Sequence, residues 1–133
     1  EDTVTWMGDL SQAALAAEYG RADVFCLPSV QEGFGIVFLE AMAAGKPIIA
    51  VRVAAVPEVV PQGLLVEPES AEAIAAAITE LHRDPERRAS LSARGREIVE
   101  RYDAPRVARV FLDEIERVTR SSGSQTGALQ DPR

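Results

Sequence analysis

At 133 residues, 47% of them hydrophobic, the chain can bury one real core and is too short for two full lobes. Its formal net charge of −7 falls in the first half, where residues 1–69 carry ten acids against three bases while residues 70–133 balance eleven against eleven. This excludes nucleic acid as a partner, because duplex binding requires a basic stripe. Cys26 is the sole cysteine, so no intrachain disulfide is available. With no apolar run near the ~20 residues of a membrane span and no opening that reads as a signal peptide, the sequence predicts a cytoplasmic protein.

In chain order, Val4-Thr5-Trp6-Met7 followed by Gly8 reads as a strand and turn, and Ser11 to Tyr19 as an Ala-rich helix. Ala22 to Pro28 is a short, continuously apolar strand, as in a parallel sheet covered on both faces, and Cys26 within it reads as a small buried residue. Ile36 to Gly45 follows as a helix, then Pro47 to Val51 and Leu64 to Val66 as further strands. This alternation predicts an α/β fold, a Rossmann-like doubly wound parallel sheet with ligands beyond the carboxyl ends of its strands. After Pro68 the pattern is helical. Ser70 caps a helix with Ala71, Ile74, Ile78 and Leu81 on one face, and Asp84-Pro85 opens a second carrying Leu91, Gly95, Ile98 and Tyr102. A third presents Val107, Phe111, Ile115 and Val118 as a core stripe. Residues 1–120 therefore form the domain and 121–133 a disordered tail. His82 has no Cys or His at metal spacing, and the arginines among Arg87 to Arg96 interleave with acids as a solvated face.

The richest segment is Glu32-Gly33-Phe34-Gly35-Ile36-Val37-Phe38-Leu39-Glu40. Gly33 and Gly35 free the backbone to bend, so Glu32 is presented from a loop at the mouth of the sheet. The first amides of the following helix lack intrahelical partners and lie at the positive end of its macrodipole, a setting for a phosphate or other anion. Glu40 falls in the second turn near that end. Two plainer readings compete: Ser29 and Glu32 match a capping box, and Glu40 is a solvated helical glutamate. Phe34 can pack inward while its amide faces an anion.

From Ala22 to Pro47 the chain resembles the donor-binding half of retaining family 4 glycosyltransferases, which have the GT-B fold of two facing Rossmann-like domains. Glu32 through Pro47 match every fixed position of their E-G-F-G-x-x-x-L-E-A-M-A-x-G-x-P signature. A looser likeness runs from Val4 to about Val118. The resemblance implies a sugar transfer, with retention, from a nucleotide diphosphate sugar to an acceptor of unknown kind: sugar, lipid or small molecule. Glu32 would hydrogen-bond the donor sugar at the reacting centre, Glu40 the ribose hydroxyls, and the amides of Gly33, Phe34, Gly35, Ile36 and Val37 the diphosphate and sugar. It implies no cofactor and no metal, and no Asp-x-Asp occurs to hold one. It also implies that the N-terminal acceptor lobe and basic residues that help hold the diphosphate lie outside this chain. As a fragment, the chain is expected to transfer no sugar by itself, and peripheral membrane contact by the full enzyme stays open.

Near the site, only Arg21, Lys46 and Arg52 could neutralise a diphosphate. Two departures stand out. At Val53-Ala54-Ala55-Val56-Pro57-Glu58 the family carries Gly-Gly where Ala54 and Ala55 stand, and the turn before Leu64 is only Pro61-Gln62-Gly63. If the first loop requires positive φ, two methyls strain it. An inactive remnant kept for assembly is therefore one alternative, and a receiver-like α/β signalling domain another.

Overall fold

The structure, a computed structural model, describes residues 3–31 and 33–123, with the backbone alone at 111, 114, 116, 118, 119 and 121–123. Contacts divide the chain into two units, Glu1–Val99 and Glu100–Arg133. In the first, helices α1 (Gln12–Arg21), α2 (Ile36–Ala43), α3 (Val56–Val59), α4 (Ala71–Arg83) and α5 (Pro85–Val99) surround strands β1 (Phe25–Leu27), β2 (Ile48–Val51) and β3 (Leu64–Val66). The strands form one parallel sheet in the order β1-β2-β3, with Phe25 opposite Ile48 and Ile49 opposite Leu64.

Alternation along the strands builds a core on each face of this sheet. Phe25, Leu27, Ile48, Ala50 and Leu65 meet Phe38, Ala41 and Met42 of α2 and Val56 and Val59 of α3. The intervening Ile49, Leu64 and Val66 meet Ala77 and Leu81 of α4 and Leu91 of α5. All four residues of β2 are buried, as expected for a central parallel strand. Helices on both faces make this a Rossmann-like α/β fold, with a helical end.

Caps set the helix limits. Ser11 accepts from the Ala14 amide at 3.3 Å, Ser70 from the Ala73 amide at 3.1 Å, and Asp84 from the Arg87 amide at 2.8 Å. At the end of α2, Gly45 has φ of 70° while Lys46 N–H donates to the Ala41 carbonyl and Gly45 N–H to that of Met42, a Schellman closure. The sequence gives no signal for the single turn α3, which opens with Pro57 in its first turn.

Five expectations are corrected. Val4 to Met7 form no strand: Val4 is 78% and Trp6 91% exposed. Residues of strand-like composition need a neighbouring strand, and among the described residues β1 pairs with β2 alone. Cys26 is exposed, not buried, because it points away from Phe25 and Leu27 on that outermost strand; partial desolvation still pushes its thiol up, away from the thiolate. On α4 the buried face is Ala77 and Leu81, with Ile78 outside. Tyr102 lies beyond α5, in a 3-10 turn, Glu100–Tyr102.

The last correction concerns the second unit, where that turn leads into α6 (Ala104–Gly123). Val107 and Ile115 of its stripe are exposed, and nothing is described of the Phe111 and Val118 side chains. A unit whose only described elements are one turn and one helix has no second face to cover such a stripe. Helix α6 continues three residues past Arg120 to Gly123, and residues 124–133 of the expected tail lie outside the described residues. No helix among the described residues is long and apolar enough to cross a membrane.

Candidate functional site

Because the three strands are parallel, their carboxyl ends open on one edge, and the loops leaving it are 28–35, 52–55 and 67–70. Among the described residues, each loop holds one residue in the left-handed region: Gly35 with φ of 72°, Ala54 with φ of 44° and Glu69 with φ of 58°. Two of the three are not glycine, and left-handed backbone costs a residue with a Cβ about 1–2 kcal/mol. The Ala-Ala departure is thereby resolved into unequal halves. Ala54 is strained, whereas Ala55 is ordinary right-handed backbone at the N-cap of α3. Ala54→Gly is expected to raise stability by roughly 0.5–1 kcal/mol in urea unfolding, and Ala55→Gly to give no gain. Equal effects at the two positions would contradict the backbone assigned to this loop.

Glu32 lies outside the described residues. The capping-box reading of Ser29 fails, since its hydroxyl donates to the Gln31 carbonyl at 3.1 Å and the helix starts only at Ile36. Gly35 is the N-cap and offers no side chain, and the Phe38 amide already bonds the Gly35 carbonyl. Among the described residues, no side chain caps the amides of Ile36 and Val37. Gly33 is different: a Cβ built there meets nothing within 4 Å and its φ is not positive, so the turn requires glycine at 35 and not at 33. Phe34 is 50% exposed and is no core residue.

Phe38 anchors α2. It is 1% exposed, and its ring meets Phe25 edge-on at 6.0 Å between centroids. Two residues on, Glu40 is exposed and accepts a hydrogen bond at Oε2 from the Tyr19 hydroxyl of α1, at 3.1 Å. Burial first, then the hydrogen bond and the charge of Glu40, push the Tyr19 phenol up to about 12. It stays protonated at neutral pH, as a donor to a carboxylate must. Sequence reasoning used Tyr19 only as a helix boundary; the available signal was an aromatic hydroxyl near the end of an Ala-rich helix.

Helices α1 and α2 border two adjoining open hollows. One, of about 600 Å³, runs from Phe25 and Leu27 past Gly35, Ile36 and Val37. The other, of about 240 Å³, lies between Gln12, Ala16, Glu40 and Ala44. Leu15 and Tyr19 line both, so the uncapped start of α2 and the Glu40 carboxylate face neighbouring parts of one depression.

The three candidate cations are engaged elsewhere. Arg21 pairs with Glu18 at 2.9 Å, Lys46 Nζ donates to the Gly20 carbonyl at 3.0 Å, and Arg52 lies 3.9 Å from Glu67. For an anion at this edge, the N-terminus of α2 is what the described geometry supplies.

The family described as "Glycosyl transferases group 1" matches residues 1–98. The chain belongs to that family. A GDP-mannose-dependent alpha-(1-6)-phosphatidylinositol monomannoside mannosyltransferase of Mycobacterium tuberculosis is 41% identical over 108 residues, which cover 74% of this chain and 28% of the relative. A phosphatidyl-myo-inositol mannosyltransferase of Mycobacterium leprae is 37% identical over 126 residues, covering 92% and 33% respectively. Among solved structures, sucrose-phosphate synthase from Thermosynechococcus elongatus superposes with a TM-score of 0.74 at 35% identity, over 89% of this chain and 30% of that one. The C-terminal domain of a group 1 glycosyl transferase from Francisella tularensis gives 0.65 at 30% identity, over 76% and 53%. The chain thus spans about a third or less of the curated relatives it matches. Group 1 membership and the α/β fold agree with the expectations drawn from residues 32–47.

Proposed function

We propose that this chain is the donor-binding part, spanning about residues 1–120, of a retaining GT-B glycosyltransferase. It would bind a nucleotide diphosphate sugar for transfer to an acceptor held elsewhere. The observation that carries this reading is the start of α2, where, among the described residues, no side chain caps the two amides that follow a left-handed Gly35. An exposed carboxylate, Glu40, lies about one turn further along the same helix. Amides and helix dipole suit the diphosphate, and the carboxylate suits the paired hydroxyls of a ribose.

On this reading Glu32 accepts hydroxyls of the donor sugar, and the loop amides hold the phosphate that departs. Dipoles fixed where negative charge develops favour the transition state over the ground state. A carboxylate that accepts two hydroxyls orients the sugar and rejects analogues lacking them. Neither glutamate acts as a nucleophile, and no metal takes part in the scheme.

Calorimetric titration with GDP, UDP and ADP tests the reading, and GDP comes first because the relative from Mycobacterium tuberculosis is named for GDP-mannose. Saturable binding of one nucleotide supports it. Silence with all three favours the second reading, an inactive remnant, for which the strained Ala54 in place of glycine speaks. Glu32→Gln separates the two carboxylates. Turnover by the intact enzyme is expected to fall about 10- to 100-fold with free-nucleotide affinity held within twofold. An equal loss of affinity for nucleotide and nucleotide sugar would show that Glu32 does not face the sugar.

A further inference from the structure

The Tyr19–Glu40 bond joins residues 21 apart in sequence and ties α1 to the helix that carries the proposed ribose acceptor. A glutamate on an exposed helix face ordinarily samples several rotamers, and each must be given up when a ligand is bound. Here one oxygen is held. The Tyr19 ring is in turn held, tilted 37° against Phe25 at 5.7 Å between centroids, and Phe25 is seated edge-on against buried Phe38. The hydroxyl is thus carried by a chain of three aromatic rings rooted in the core.

We propose that Tyr19 is a positioning residue, whose hydroxyl holds the Glu40 carboxylate in the orientation that receives the two ribose hydroxyls of a nucleotide. This rests on the reading of Glu40 given above and adds to it the group that presets its geometry. The stoichiometry allows it. An ionised carboxylate has about four acceptor sites, and one donated bond leaves enough for two more hydroxyls. The hollow of about 240 Å³ on which Glu40 and Tyr19 both open has room for a pentose.

A purely structural role is the competing account, with the bond serving only to clip α1 to α2. Affinities for the ribonucleoside diphosphates GDP, UDP and ADP and for their 2′,3′-dideoxy counterparts separate the two. Tyr19→Phe keeps the ring packing and removes only the donor. It is expected to reduce the preference for the ribo over the dideoxy form roughly three- to tenfold, with the dideoxy affinity unchanged. Glu40→Gln in the same assay tests the underlying reading and should bring that preference close to unity. If Glu40→Gln abolishes the preference and Tyr19→Phe preserves it, Tyr19 does not position the site and the ribose reading stands. If neither variant alters it, or none of the three nucleotides binds, both fall. A ligand-free measurement checks the contact itself. In absorbance titration the Tyr19 phenol, raised from 10.0 to about 12, should move down in Glu40→Gln while keeping the part due to burial. Because the raised group favours folding only while protonated, the stabilisation is complete below about pH 10 and is lost as pH rises toward 12. A phenol that ionises identically in both proteins would overturn the proposal.

Discussion

Glu40→Ala is expected to weaken nucleotide binding by about 1.5–3 kcal/mol, or roughly 10- to 100-fold, because ribose hydroxyls lose a charged acceptor. The substitution is mild for the fold. Glu40 is exposed, its one described partner is the Tyr19 hydroxyl, and alanine is the better helix former. Loss of affinity should therefore come with little change in the urea midpoint, which keeps binding and folding apart. Unchanged affinity for free nucleotide would remove Glu40 from the site, and a collapsed midpoint would make its bond to Tyr19 chiefly a fold contact.

Phe38→Ala should have the opposite profile. The side chain is 1% exposed and fills the space between β1 and the interior face of α2. Truncation there removes buried ring area and leaves a cavity, for a loss of about 3–5 kcal/mol. A domain of this size has about 5–15 kcal/mol in total, so the variant should be partly unfolded at moderate temperature. Urea unfolding followed by far-UV circular dichroism measures this. A loss under about 1 kcal/mol would mean that α2 is seated by other contacts, such as Ala41 and Met42. Phe38→Leu should recover most of the stability, since it retains apolar volume.

The central strands were legible because their signal is redundant. Ile48 to Val51 is apolar throughout, lies between Pro47 and a turn, and is buried on both faces. The same redundancy applies to α2, whose start at Gly35 and end at Gly45 are both set by left-handed residues. Single signals were less secure. Val4 to Met7 has strand-forming residues, but a strand is a relation between two segments and composition names only one of them. On α4, Ala77 lies beside Ile74 and Leu81 around the helix, whereas Ile78, one residue on, is turned about 100° from it and faces outward. A pattern of large residues therefore places the stripe too far round. In the candidate site, the turn at Gly35 was legible because a left-handed glycine before a helix is a property of local backbone. The Tyr19 contact crosses from one helix to another, and no spacing rule within one helix can express it.

Among the described residues strand β1 pairs only with β2, and Phe25 directs its amide to Pro47 on that side. In a parallel ladder the next residue turns its backbone the other way, so Cys26 directs its amide and carbonyl to the flank away from β2. Such a flank is adhesive, and proteins that leave one uncovered tend to grow by adding strands. For anyone concentrating this chain, the relevant hazard is therefore colloidal. The sheet has a direction in which it can lengthen, and neither the acidic surface nor the buried β2 blocks it.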